Sequence, residues 1–91
     1  MKTIWKFKLN ITESQEIKVP EGTQILSAGI DPEGSLCVWG VVDTENALTD
    51  RFIYIVGTGN PIDRVFFNDY TFIGSVLMQP FVWHVFECNS K

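Results

Sequence analysis

The sequence has little positive charge. Seven lysines and arginines stand against eleven aspartates and glutamates, the net charge is −4, and residues 19–50 carry six acids and no base. A protein that binds duplex DNA gains affinity by neutralising phosphates, which this balance opposes. We therefore expect no duplex DNA partner, and an acidic surface in the middle of the chain.

Cysteine and histidine are scarce, which limits metal and redox chemistry. Cys37 and Cys88 form no Cys-x-x-Cys pair, and each lies in an apolar run, so we expect buried free thiols in a reducing, cytoplasmic compartment. One histidine and two cysteines do not complete a zinc site, and no Asp-x-Asp-x-Asp-Gly calcium loop occurs. We expect no metal and no cofactor.

Long hydrophobic runs are absent as well. No apolar stretch approaches the roughly 20 residues that cross a bilayer. Lysines interrupt the apolar residues of the amino-terminal "MKTIWKFKLNITESQ", so no signal segment is apparent. We expect no membrane association.

The sequence instead shows strand periodicity. Thr3, Trp5, Phe7 and Leu9 alternate with lysines, and "RFIYIVG" has five consecutive β-branched or aromatic residues, which favour a buried strand. Turn residues divide the chain into seven such segments. This pattern predicts one all-β domain over residues 1–91, an antiparallel sandwich or small barrel of about seven strands.

Most strands are predicted to pair with their neighbours in sequence. The first two segments would form an amino-terminal hairpin, "QILSAGI" and "LCVWGVV" a second, and "YTFIGSVL" and "FVWHVFEC" a third that turns near Pro80. Residues 43–50 are predicted to be a loop, and 57–69 the longest irregular segment. Trp5 and Phe7 are expected in the core because they lie opposite the lysines. Edge strands in so small a domain favour a homo-oligomer.

The stretch "IVGTGNPID" resembles the start of a nucleotide-phosphate loop, but a third glycine and a Gly-Lys-Ser or Gly-Lys-Thr sequence are missing. We interpret the two glycines as shaping the backbone at the end of a buried strand. The alternative is a nest of backbone N–H groups that holds a small nucleotide-like anion. Its residues would be Gly57, Thr58, Gly59, Asn60 and Arg64.

Catalytic signatures are weak. His84 is the only histidine, and alternation places it on one face with Val82 and Phe86, where a structural role is more common than general-base or metal chemistry. No Gly-x-Ser-x-Gly elbow occurs, and one histidine allows only one triad centre. We expect no enzyme activity.

Five stretches together, "IWKFKLNI", "VPEGTQILSAG", "GTGNPI", "FIG" and "VWHVFE", resemble a family of small uncharacterised proteins of tailed bacteriophages and prophages. The resemblance covers nearly the whole chain. It implies a single β-rich domain made in the cytoplasm of an infected or lysogenic bacterium, and it brings no activity.

Three functions follow as hypotheses. The first is a non-enzymatic interaction protein that forms a homo-oligomer and contacts a host or phage protein. The second is a protein that sequesters a nucleotide-like anion through the loop from Gly57 to Arg64. The third is a minor component of the virion.

Overall fold

A computed structural model describes residues 1–62 and 69–89 of the chain. Every regular element in these ranges is a β-strand, and none of their residues forms a helix long and apolar enough to cross a membrane. The strands are β1 (Lys2–Lys8), β2 (Ser14–Pro20), β3 (Gln24–Ile30), β4 (Leu36–Asp43), β5 (Leu48–Gly57), β6 (Tyr70–Met78) and β7 (Phe81–Cys88).

The strands form two antiparallel sheets that pack face to face. One has three strands in the order β1-β4-β3, and the other has four in the order β2-β5-β7-β6. The predicted all-β fold of seven strands is confirmed, and the architecture is a sandwich rather than a closed barrel. Strand β4 is central, as its apolar run predicts. Its inner face is buried, whereas Trp39, Val41 and Asp43 on the outer face are only partly buried.

Two of the three predicted hairpins are confirmed, since β3 pairs with β4 and β6 with β7. The predicted amino-terminal hairpin is wrong. β1 pairs with β4 and β2 with β5, so the chain crosses from one sheet to the other between Leu9 and Glu13. Alternation fixes which side chains are buried but does not identify the neighbouring strand. The predicted loop at 43–50 is also shorter than expected, because β5 already begins at Leu48.

The core lies between the two sheets. Val38 of β4, Ile53 of β5 and Val85 of β7 are at most 1% exposed, and Val19 of β2 is fully buried. At the margin of this layer, the Arg51 side chain forms an ion pair with Glu87 and donates a hydrogen bond of 2.9 Å to the Thr23 carbonyl. That bond ties the four-stranded sheet to the start of the three-stranded one.

The sandwich is closed on one side and open on the other. On the closed side β3 lies against β6, where a Cβ at Gly74 would be 3.5 Å from the backbone nitrogen of Ala28. On the opposite side β1 and β2 form the sheet edges, and no further strand among residues 1–62 and 69–89 pairs with either of them. The backbone groups that face away from β4 and β5 therefore lie along this open side.

Trp5 lies on this open side and not in the core. Its indole faces inward from β1 and contacts Phe7 edge to face at 6.4 Å, but Trp5 remains 38% exposed. The predicted core position is therefore wrong for Trp5, whereas Phe7 packs against the core as expected. In the part of the chain that the structure describes, no strand beyond the edge strand β1 covers a side chain as large as tryptophan.

We predict that Ile53→Ala lowers the free energy of unfolding by about 2–5 kcal/mol, because the substitution leaves a cavity in a fully packed layer. Ile4→Ala is the matched control: Ile4 is 56% exposed, so its loss should cost under about 1 kcal/mol. Urea unfolding monitored by tryptophan fluorescence measures both. Equal losses would contradict this assignment of the core.

Candidate functional site

The glycine stretch forms a tight turn at the end of β5. The Asn60 N–H donates to the Gly57 carbonyl at 3.0 Å, and the Thr58 N–H donates to the Val82 carbonyl at 3.1 Å. Gly59 adopts φ +90°, which favours glycine. A Cβ at Gly57 would lie 3.0 Å from the Trp83 ring. Both glycines therefore have a structural role here.

The predicted anion nest needs backbone N–H groups that face a ligand. Two of its amides, those of Thr58 and Asn60, already donate within the protein. The turn borders a cleft of about 370 Å³ whose lining includes Glu13, and the described lining residues include no lysine or arginine. Arg64 lies outside the described residues, so its role in binding an anion stays a prediction.

His84 is held between two hydroxyl groups. Its Nε2 lies 2.6 Å from Thr58 Oγ1, and its Nδ1 lies 2.7 Å from Ser75 Oγ. Among the described residues no carboxylate orients this imidazole, as a serine or threonine nucleophile relay would require. The arrangement links the turn after β5 to β7 and β6. The sequence gives no sign of it, because it depends on the pairing of β7 with both neighbours.

The described residues contain no group of three or more histidine, cysteine or acidic side chains that could hold a metal ion. Both cysteines are free thiols, as predicted, but the predicted burial is confirmed only for Cys37, because Cys88 is partly exposed. Cys37 is fully buried, and burial raises its pKa. A neutral buried thiol is a poor nucleophile.

The free edge of β1 offers a different kind of site. Two hydrogen bonds show which residues of β1 bond β4: the Leu9 N–H donates to the Leu36 carbonyl, and the Thr44 N–H donates to the Met1 carbonyl. The odd-numbered residues of β1 are therefore the ones that bond β4. In an antiparallel pair alternate residues bond the neighbouring strand, and those between them direct their N–H and C=O groups outward. The outward residues of β1 are Lys2, Ile4, Lys6 and Lys8.

Lysines on an edge strand usually discourage pairing with other chains. Here the Lys6 ammonium bonds Asp31 at 2.8 Å, and that of Lys8 lies 3.3 Å from Glu33. Both acids belong to the turn between β3 and β4, and β4 lies between β1 and β3. These two lysine side chains therefore extend across β4, away from the free edge.

Asp31 makes this arrangement rigid. Its side chain is fully buried, and Oδ1 accepts hydrogen bonds from the N–H groups of Glu33 at 3.0 Å and Ser35 at 2.8 Å. The bond from Lys6, followed by the amide of Ser35, lowers the Asp31 pKa to about 2. The carboxylate therefore stays ionised and keeps Lys6 in place at neutral pH.

Apolar side chains flank the same edge. Ile4 is 56% exposed on the outer face of β1, and Trp5 is 38% exposed on its inner face. Exposed aromatic and aliphatic groups beside unpaired backbone groups are typical of surfaces to which an extended peptide adds as a strand. The sequence did not indicate this site, because the predicted amino-terminal hairpin paired β1 with β2.

Comparison with known protein families matches residues 1–91 to the family described as Domain of unknown function (DUF7352). The chain belongs to this family. No match was found among curated proteins or among solved structures. The family covers the whole chain, and it assigns no activity to the edge of β1 or to the glycine turn.

We predict that Asp31→Asn reduces the loss of stability in acid. A lowered pKa means that the ionised Asp31 stabilises the fold above its unfolded-state pKa of about 4, and that this stabilisation is lost as the pH falls from about 4 toward 2. The variant should be less stable at pH 7, with a smaller drop in Tm between these two pH values. Parallel Tm curves for the two proteins would contradict the assignment.

We also predict that Gly59→Ala lowers the free energy of unfolding by about 1–2 kcal/mol, because φ +90° is strained for a residue with a Cβ. Gly59→Asn should lose less, since asparagine tolerates this position of a turn. Chemical denaturation measures both variants. An alanine variant as stable as the parent protein would show that the turn does not require glycine.

Proposed function

We propose that this protein is a non-enzymatic interaction protein that binds an extended segment of a partner protein as an added strand on β1. The observation that carries the proposal is that two of the three lysines on the edge of β1, Lys6 and Lys8, form ion pairs with the turn after β3 and so extend away from this edge. Four residues present backbone donors and acceptors along this edge. Main-chain hydrogen bonds of this kind provide affinity without a deep pocket.

The side chains around the edge indicate the chemistry of the partner. On the outer face the added strand would lie beside the exposed Ile4, where apolar residues would fit, and beside Lys2, where an acidic residue would fit. On the inner face it would lie beside the exposed part of Trp5, which favours an apolar residue. The partner segment is therefore extended, apolar toward the open side of the sandwich, and acidic or mixed on its other face.

The wider setting of this proposal is a bacterial cell. The resemblance to proteins of tailed bacteriophages and prophages supports a host or phage protein as the partner, met in the cytoplasm, and the two open edges support a homo-oligomer. The nucleotide-like anion is the weaker alternative, because the turn uses the Thr58 and Asn60 amides internally and Glu13 lines the adjoining cleft.

A peptide-display selection against the immobilised protein tests the proposal, with random peptides of about eight residues. We expect acidic, β-branched sequences whose binding shifts the backbone amide signals of β1 in NMR spectra. Ile4→Pro should weaken binding about tenfold or more, because it removes an outward N–H and leaves the bonds to β4 intact.

Glu16→Pro is the matched control, since it removes an outward N–H from the other open edge and should leave peptide binding unchanged. A partner from the bacterial host should likewise copurify with this control and be lost with Ile4→Pro. Peptides that bind without shifting β1 amides, and that bind the Ile4→Pro variant equally well, would overturn the proposal.

A further inference from the structure

The second open edge is that of β2. As in β1, the odd-numbered residues of β2 bond the neighbouring strand and the even-numbered residues face the open edge. The Ile55 N–H donates to the Glu13 carbonyl, and the Glu21 N–H donates to the Ala47 carbonyl. Odd-numbered residues of β2 therefore bond β5, and Ser14, Glu16 and Lys18 direct their N–H and C=O groups outward. All three are exposed.

The charges along β2 are complementary to those of a second, antiparallel copy of β2. When two copies of β2 pair antiparallel about a twofold axis at Ile17, Glu16 of each copy lies opposite Lys18 of the other. Both are outward residues, so each such pair exchanges two backbone hydrogen bonds. Lys18 already bonds Asp50 on β5. In the paired state its ammonium would lie between two carboxylates, one from each copy.

The edge of β1 does not have this property. Its outward residues include three lysines and no acid, so no twofold register of β1 sets opposite charges against each other. A pair of β1 strands therefore lacks the charge attraction that is available to β2. Charge therefore favours β2 for self-association and leaves β1 for a partner of a different sequence.

We propose that two copies of this protein associate through β2, with Glu16 of one copy opposite Lys18 of the other. The two four-stranded sheets would then join into one continuous sheet. Both three-stranded sheets would lie on the same face of it, which brings the exposed Trp5 of each copy toward the junction. This inference deepens the homo-oligomer in the proposed function by naming its surface and register.

A charge-swap experiment tests the interface by sedimentation velocity across micromolar concentrations. We expect the parent protein to form a dimer. Glu16→Lys alone and Lys18→Glu alone should each raise the dimer dissociation constant about tenfold or more, because each puts like charges opposite each other twice. An equimolar mixture of the two variants should form a heterodimer. A parent protein that stays monomeric, or a dimer that neither variant weakens, would overturn the proposal.

A cross-linking experiment covers the case in which a charge-swap variant unfolds. In a Cys88→Ser background, Glu16→Cys mixed with Lys18→Cys should form a covalent heterodimer on mild oxidation. Residues opposite each other in a hydrogen-bonded antiparallel pair have Cα atoms about 5.5 Å apart, which a disulfide can bridge. The control mixes Glu16→Cys with Glu33→Cys, an exposed position away from β2. Equal yields in both mixtures would contradict the register.

These results separate the two proposals. A parent protein that is monomeric but binds peptides on β1 would refute only the β2 interface. A parent protein that dimerises through β2 but binds no peptide on β1 would refute only the partner site. The two edges consist of different residues, so each variant tests only the edge in which its substitution lies.

Discussion

The rest of the structure depends on the packing of a three-stranded sheet against a four-stranded one. Their inner faces share one apolar layer around Val38, Ile53 and Val85, which is almost inaccessible to water. Because the sheets meet closely where β3 lies against β6, the unequal widths are accommodated on the opposite side. The described residues leave two strand edges and part of Trp5 uncovered there. The surface available for binding is thus a direct consequence of how the core closes.

A single buried carboxylate, that of Asp31, determines whether a lysine lies along the open edge of β1. Asp31 organises the turn between β3 and β4 through the amides of Glu33 and Ser35, and it also holds the ammonium of Lys6. A lysine that would otherwise discourage strand addition therefore contributes to a turn two strands away. The same bond is the largest cause of the lowered Asp31 pKa of about 2, so Asp31 remains ionised and bonded to Lys6 well below neutral pH. Turn stability and edge accessibility are linked through one side chain.

Local chemistry was readable from the sequence, and long-range pairing was not. The turn residues around Asp31 and the Gln79–Pro80 turn predicted two hairpins correctly, because the hairpin strands are adjacent in sequence. The partners of β1 and β2 depend on which strands the core brings together, and alternation is the same for either choice. Trp5 shows the same limit, since its pattern predicts an inward direction but not whether another strand covers it. The contacts of His84 with Thr58 and Ser75 arise from the register of three strands.

The central claim is that β1 has one edge bonded to β4 and one edge open. Amide hydrogen exchange along β1, measured by NMR in the protein without any partner, tests it most directly. The account predicts alternation: slow exchange at Thr3, Trp5 and Phe7, and fast exchange at Ile4 and Lys6 between them. Uniformly slow exchange along the strand would contradict it, because the outward amides would then already be bonded.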